Sequence, residues 1–469
     1  MTNLSDLIPA GGGQNNTDFV ADGGITSGKP VILTAAGKAA QVVESGDGLG
    51  TPSTFDADPV YYTRLTYDTS HDRVVAWYKE TATNYPTACV GTVSTTGITW
   101  GTPVAILSLT MGDTINACFD ATLGKHLVAL NQSSQGKALV GTVSTGPDTI
   151  AFGTTAVFTT SSPSNIACEY DPSTTRSLIV YRLGSTGKAM VAIPTVSSTI
   201  TFGAELEYLA ATAYPKTCYD TNQNKVVVAS WEIPSNYEVA NYVATINAGT
   251  NAVTFGARNI ASSVAGANGY PDNTAVAYDA SANAVINFYR ISGGGLCRAG
   301  TISGDSVTYG TELALGTDME MADACYDVAQ TKVALSYFRS STTHLRFFSL
   351  SGSAVTADAE IEVGGAGTGG QYNANVYDPD NEVIAFAYST QASSLDGIGN
   401  VYESQITNLT STNLLGIASG AILDTATGTI NTWGSRNEVQ TSLTIGSDYY
   451  VQTDGTITTT STSPAQLIG

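Results

Sequence analysis

Short apolar runs rich in β-branched and aromatic residues alternate along the chain with polar turns, as in segments 73–78 (RVVAWY), 176–182 (RSLIVYR), 225–231 (KVVVASW) and 382–388 (EVIAFAY). Runs of that length and composition predict buried β-strands. Each follows an aromatic-Asp pair, and the pair recurs as Tyr67-Asp68, Phe119-Asp120, Tyr170-Asp171, Tyr219-Asp220, Tyr278-Asp279, Tyr326-Asp327 and Tyr377-Asp378. After a variable loop comes a third run, such as 89–94 (CVGTVS) or 139–144 (LVGTVS). A fourth carries an aromatic-Gly signature at 98–101 (ITWG), 150–153 (IAFG), 200–203 (ITFG), 253–256 (VTFG) and 307–310 (VTYG). Four strands in a period of roughly fifty residues is the arithmetic of a β-propeller blade, which cannot bury its own faces and must stack on copies of itself. Seven pairs predict seven blades.

The Asp of each pair stands where the innermost strand turns into the second, where a short carboxylate can accept backbone N–H groups two residues on. Its repetition argues for a structural role, because a catalytic group is needed once and a turn residue in every blade. The sixth repeat has only a degraded fourth strand (355–361), and no aromatic-Gly segment follows the third strand of the seventh (400–404). The missing piece lies at the other end of the chain, where 50–55 (GTPSTF) copies 101–106 (GTPVAI). An N-terminal strand is therefore expected to complete the last blade and seal two open sheet edges.

Outside the repeats, 25–43 (ITSGKPVILTAAGKAAQVV) and 414–460 read as short strands broken by Gly and Ser. The predicted architecture is all-β: a seven-bladed β-propeller (45–409) closed by an N-terminal strand and inserted into a small β-module formed by both termini (1–44 and 410–469). The opening 5–16 (SDLIPAGGGQNN), the 27–31 segment (SGKPV) and the closing 443–451 (LTIGSDYYV) with 454–456 (DGT) resemble structural proteins of tailed bacteriophages, particularly tail-fibre-like proteins of marine and cyanobacterial phages. Ser442 stands where that family usually has Gly. The resemblance covers roughly the first 45 and last 60 residues and implies a virion subunit, homo-oligomeric, contacting other virion proteins, made in the host cytoplasm without a signal peptide.

Composition narrows the partners. Forty acidic against nineteen basic side chains give a formal charge of −21, which disfavours nucleic acid and anionic membrane. No apolar run approaches a membrane span, and the start (MTNLSDLIPA) lacks a charged segment followed by an apolar one. Of the six cysteines, Cys118, Cys168, Cys218 and Cys325 fall just before aromatic-Asp pairs, and no Cys-x-x-Cys occurs. They read as buried free thiols of a reducing compartment, with zinc and redox roles unsupported.

No catalytic, metal or cofactor constellation emerges. His71, His126 and His344 sit in different repeats without a metal or nucleophile pattern. The acid clusters Asp318/Glu320/Asp323 and Asp378/Asp380/Glu382 lack the calcium-loop spacing. Recognition is the better expectation: loops joining the second to the third strand, and the fourth to the next first strand, share one face of a propeller. They hold Tyr85, Trp231, Tyr237, Tyr270, Glu320 and Asp323, aromatic faces and polar rims of the kind that seat a sugar. The expected role is attachment to a host-surface glycan or protein. The alternatives are a purely architectural head or tail subunit and a polysaccharide hydrolase.

Overall fold

The computed structural model describes residues 15–44, 48–233, 238–262, 273–291, 294–363, 372–390, 395–403, 408–432, 439–441, 443–444, 446–461 and 466–468. Among them every regular element is a strand, and each blade is an antiparallel sheet. In blade 2 the inner strand Met111–Asp120 pairs with Lys125–Gln132, which pairs with Gln135–Thr145, whose far side takes both Asp148–Phe152 and Ala156–Thr159. The outer strand is therefore split in two where a single fourth strand was expected. Blades 3 to 6 repeat the pattern, and the long strand Ser53–Asp68 joins blades 7 and 1 into one sheet. Seven blades result among the described residues.

The turn carboxylates act as the sequence implies. Asp120 Oδ1 accepts the N–H groups of Thr122 and Leu123, both at 3.0 Å, and Asp220 Oδ1 those of Asn222 and Gln223 at 2.8 and 3.0 Å. Asp68, Asp171, Asp279 and Asp378 do the same, and Asp327 accepts from Gln330. All seven carboxylate residues are buried, where an unpaired turn amide would be costly.

The aromatic-Gly signature has a packing cause. A Cβ on Gly203 would sit 1.9 Å from the carbonyl oxygen of Asn251, in the outer hairpin of the next blade, and one on Gly101 would sit 2.2 Å from that of Asp148. Only glycine lets neighbouring blades approach that closely. In blade 6 Asp358 takes the equivalent place, its N–H bonding Phe347 O at 2.9 Å as Gly310 bonds Ala299 O. Among the described residues blade 7 presents no such hairpin; its third strand, Asp396–Glu403, takes its outer neighbour from the N-terminal side. The degraded signature thus marks the seam.

At that seam Thr54 pairs with Ile398 and Asp56 with Gly397. Gly50 N donates to Val401 O at 2.9 Å, and Thr51 N to Thr96 O of blade 1 at 2.8 Å. Phe55, 3% exposed, packs on Tyr78 and Trp100 at ring-centroid distances of 5.1 and 5.3 Å. One segment therefore completes blade 7 and locks it to blade 1.

The chain divides into two compact units, one running from Leu49 to Glu403 and the other built from both flanking segments. In the second unit Asn16–Val20, Thr427–Asn431, Leu414–Ala418, Pro30–Leu33 and Ala39–Gln41 form one antiparallel sheet in that order. Strands from the two ends interleave, over a core of Ala21, Ile25, Val31, Ala418, Ile422 and Ile430. Tyr450–Val451, Ile457–Thr458 and Gln466–Leu467 make a smaller sheet.

Candidate binding site at the channel mouth

Inner strands of a propeller converge on its axis, so whatever the repeat leaves variable there faces a shared channel. Where the inner strands begin, residues from all seven blades enclose a cavity of about 530 Å³, within the range that holds small ligands. Its aromatic walls are Tyr62, Tyr214 and Tyr372; its amides are Asn116, Asn165 and Asn273; its charges are Arg64, Arg182, Lys216, Asp113 and Glu320.

The strands enter this mouth irregularly. Their pairing slips between Tyr61 and Arg64, Met111 and Ile115, Ser164 and Ala167, and Glu320 and Asp323. Tyr62, Asn165, Met321 and Tyr372 adopt left-handed φ values of 58°, 50°, 48° and 61°. A bulge re-aims side chains, and left-handed Tyr or Met is costly enough that its surroundings must hold it. The holders are visible. Asn273 Oδ1 accepts from Met321 N at 3.2 Å, Asn373 Nδ2 donates to Met321 O at 3.1 Å, and Thr114 Oγ1 accepts from Ile166 N at 2.8 Å.

Tyr61, Tyr62 and Tyr372 form a cluster with ring centroids 5.1 to 6.2 Å apart. Across from them Arg182 donates to Tyr214 OH at 2.9 Å and lies 5.3 Å from that ring's centre. Glu320 is bound by Arg290, which also holds Asp318 Oδ2 at 2.6 Å. Deeper on the same strand, burial pushes the Asp323 carboxyl above its usual range, against the opposing pull of the Lys216 and Arg64 charges.

The expected site residues distribute unevenly. Glu320 lines the cavity, and Asp323 lies just below it on the same strand. Trp231 is 3% exposed in the second strand of blade 4, 4.8 Å from Tyr214, so it backs the wall instead of offering a face. Its burial follows from strand position: the strand runs on to Ile233. Tyr85 sits half-buried beside the second strand of blade 1, its carbonyl accepting from Glu80 N at 3.1 Å, and does not line the cavity. Tyr237 and Tyr270 lie outside the described residues. Arg64, Asn116 and Lys216 were missed because they stand on strands, not loops. Their signal was departure from the repeat, since the place four residues before the turn Asp is Ala167, Ala275 or Ala374 in other blades.

The opposite end of the channel holds a smaller volume, about 380 Å³, and is lined by the repeat aromatics with Cys118, Cys168, Cys218, Cys325 and Glu169. All six thiols are free, and burial raises the p*K*a of each of these four, which makes poor nucleophiles of them. His126, fully buried, contacts Thr66 Oγ1 at 3.1 Å and Asp68 Oδ2 at 3.5 Å, while Trp77 Nε1 donates to Thr66 Oγ1 at 2.8 Å. Those groups span the blade 1–2 boundary without solvent access and therefore read as packing. Among the described residues no group of three or more His, Cys, Asp or Glu is arranged to hold a metal ion.

No family model and no curated protein sequence matches the chain. Solved structures do resemble it. A protein from Lactobacillus plantarum aligns at 12% identity over 74% of this chain and 96% of its own, with a TM-score of 0.50. The periplasmic gluconolactonase of Pseudomonas aeruginosa aligns at 11% identity over 74% and 96%, with a TM-score of 0.46. The NanB sialidase of Streptococcus pneumoniae, as a K499G mutant, aligns at 11% identity over 76% and 71%, with a TM-score of 0.44. The first of these likenesses speaks for the fold alone, and the repeated blades make that fold a β-propeller.

Proposed function

We propose that the protein is a virion appendage subunit of a tailed bacteriophage whose channel mouth binds a glycan on the host surface. The observation that carries the binding role is the 530 Å³ cavity, where tyrosine rings and amides are held by bulged strand entries. A sugar ring presents an apolar face to stack and hydroxyls to bond, and Tyr62, Tyr214 and Tyr372 with Asn116, Asn165 and Asn273 supply both. Support for the virion setting comes from the terminal segments that resemble tail-fibre-like proteins. In this reading the two-ended β-module attaches the subunit to the particle, and the propeller meets the cell.

The test uses the purified full chain, measured for binding to host cells and to their isolated surface polysaccharide. Tyr372→Asn keeps a residue tolerant of left-handed φ while removing the ring, so weaker binding by about tenfold is expected with unchanged Tm. Tyr85→Ala, outside the cavity, is expected to leave binding intact. A chain that binds neither cells nor polysaccharide, and does not compete with infection, overturns the proposal.

A further inference from the structure

A closed ring admits a ligand only along its axis. Every blade supplies lining to the mouth cavity, from Tyr62 in blade 1 to Tyr372 in blade 7, and the seam between those two blades is sealed by the pairing of Thr54 with Ile398 and of Asp56 with Gly397. The wall is therefore continuous, and it surrounds a pit, not a groove with two open ends. The pit also has depth. On blade 4 its lining runs from Tyr214 to Lys216, about 7 Å of strand, and on blade 2 it runs from the exposed Asp113 to Ile115, which is 1% exposed. The next residue of blade 4, Thr217, already lines the opposite end of the channel. Aromatic rings stand on both sides of the pit: Tyr62 and Tyr372 belong to blades 1 and 7, and Tyr214 to blade 4, near the far side of a seven-membered ring.

Resting on the glycan reading above, we infer that the site takes the terminal unit of a saccharide chain and not a unit from its interior. An interior unit is bonded on both sides, so its neighbours need two exits, and a continuous wall offers none. Laid across the rim, it would leave the buried Ile115 and Ile166 below it untouched. A terminal unit enters along the axis with its one linkage leaving toward solvent. Its two faces then lie between Tyr214 and the pair formed by Tyr62 and Tyr372, where stacking and burial of apolar C–H surface are both available. Entry by an end holds whether the chain stops in the mouth or continues down the channel. Recognition therefore counts chain ends and not chain length.

Titration calorimetry of the full chain reads the difference, with the isolated host-surface polysaccharide as probe, intact and after partial hydrolysis to size-fractionated oligosaccharides. Binding sites per gram of saccharide are expected to rise in proportion to the number of chain ends, while Kd per mole of ends stays within about threefold. Tyr372→Asn should weaken binding of polymer and fragments alike, by about tenfold, which ties the counted sites to the mouth. A bulky fluorescent amine coupled to the reducing ends then assigns the end that is bound: lost binding points to the reducing end, retained binding to the other. Sites per gram that stay constant or fall on hydrolysis would mean that interior units are bound, which overturns the inference and leaves the glycan site standing. Binding of neither the intact polysaccharide nor its fragments removes both.

Discussion

At the scale of single residues, two of the repeated tyrosines before a turn Asp stitch a blade to its predecessor, while Tyr219 and Tyr278 donate within their own blades to Asn224 and Asn283. Tyr170 OH meets Thr122 Oγ1 at 2.6 Å, and Tyr67 OH donates to Asp380 Oδ2 at 2.7 Å, linking blade 1 back to blade 7. Phe119 has no hydroxyl to offer. In its place His126, whose ring lies 5.0 Å from Phe119, reaches Asp68 of blade 1. Removing it as His126→Phe is expected to cost about 1–3 kcal/mol, the usual penalty for a buried polar partner lost. Adding Phe119→Tyr should recover part of that in denaturant titrations, and a double variant no better than the single would refute the replacement. Glu169 gives a second, pH-dependent outcome. Burial beside the channel raises its p*K*a from 4.5 to about 7, with bonds from Thr217 and the Tyr170 backbone pulling the other way. The folded state therefore holds a proton that the unfolded chain releases, so stability falls as pH rises from about 4.5 to about 7 and is flat in this group above that. Glu169→Gln should flatten that part of the Tm profile and gain on the order of 2 kcal/mol above pH 7. A variant profile parallel to the wild type would show that the carboxyl is ionised throughout. The turn Asp residues were legible in the sequence because each blade needs one. Most of the mouth residues were not, Glu320 being the exception, because a side chain needed once leaves no periodic trace.

At the scale of the element, the outer strand breaks at a glycine because two backbones meet there. Gly203→Ala pushes a Cβ into the carbonyl of Asn251, and overpacking of that kind costs about 1–3 kcal/mol or more. Asp358→Gly in blade 6 removes a side chain where no hairpin abuts among the described residues, so only the backbone-entropy cost of glycine, about 0.5–1 kcal/mol, together with the loss of the Lys332 contact at 2.8 Å, is expected. Urea unfolding of the two variants checks the contrast; similar losses from both would mean that blade contact does not set the signature. The contrast also shows what a strand pattern can convey. Aromatic-Gly was readable as a strand end from sequence, whereas its reason lies in the neighbouring blade. The same limit applies to Trp231: its aromatic character drew attention, but the length of the strand ending at Ile233 decides that it is wall and not surface.

At the scale of the whole propeller, the ring must close or leave two edges open, and the copy of 101–106 at 50–55 marks the closing piece in the sequence itself. The equivalence extends to chemistry: Gly50 would place a Cβ 2.7 Å from Thr96 O of blade 1, the same relation that Gly101 has to blade 2. Phe55 supplies the apolar part of the seal, resting against Gly397, where a Cβ would lie 2.3 Å from its ring. Truncating it as Phe55→Ala is expected to cost about 3–5 kcal/mol, the range for a buried Phe, while leaving one cooperative transition. Deleting residues 45–60 is a different perturbation, because it removes the strand pairing of blade 7 and the first residues of the inner strand of blade 1 together. The remaining blades then form an open stack whose terminal units lack a neighbour, and cooperativity in such arrays depends on nearest-neighbour interfaces. The deleted chain should lose its single sharp melting transition, as followed by near-ultraviolet circular dichroism. A synthetic 45–60 peptide added in excess should restore it in part, through binding to the folded form alone. A deleted chain that still melts sharply at the wild-type temperature would mean that the seven blades hold together without their seam.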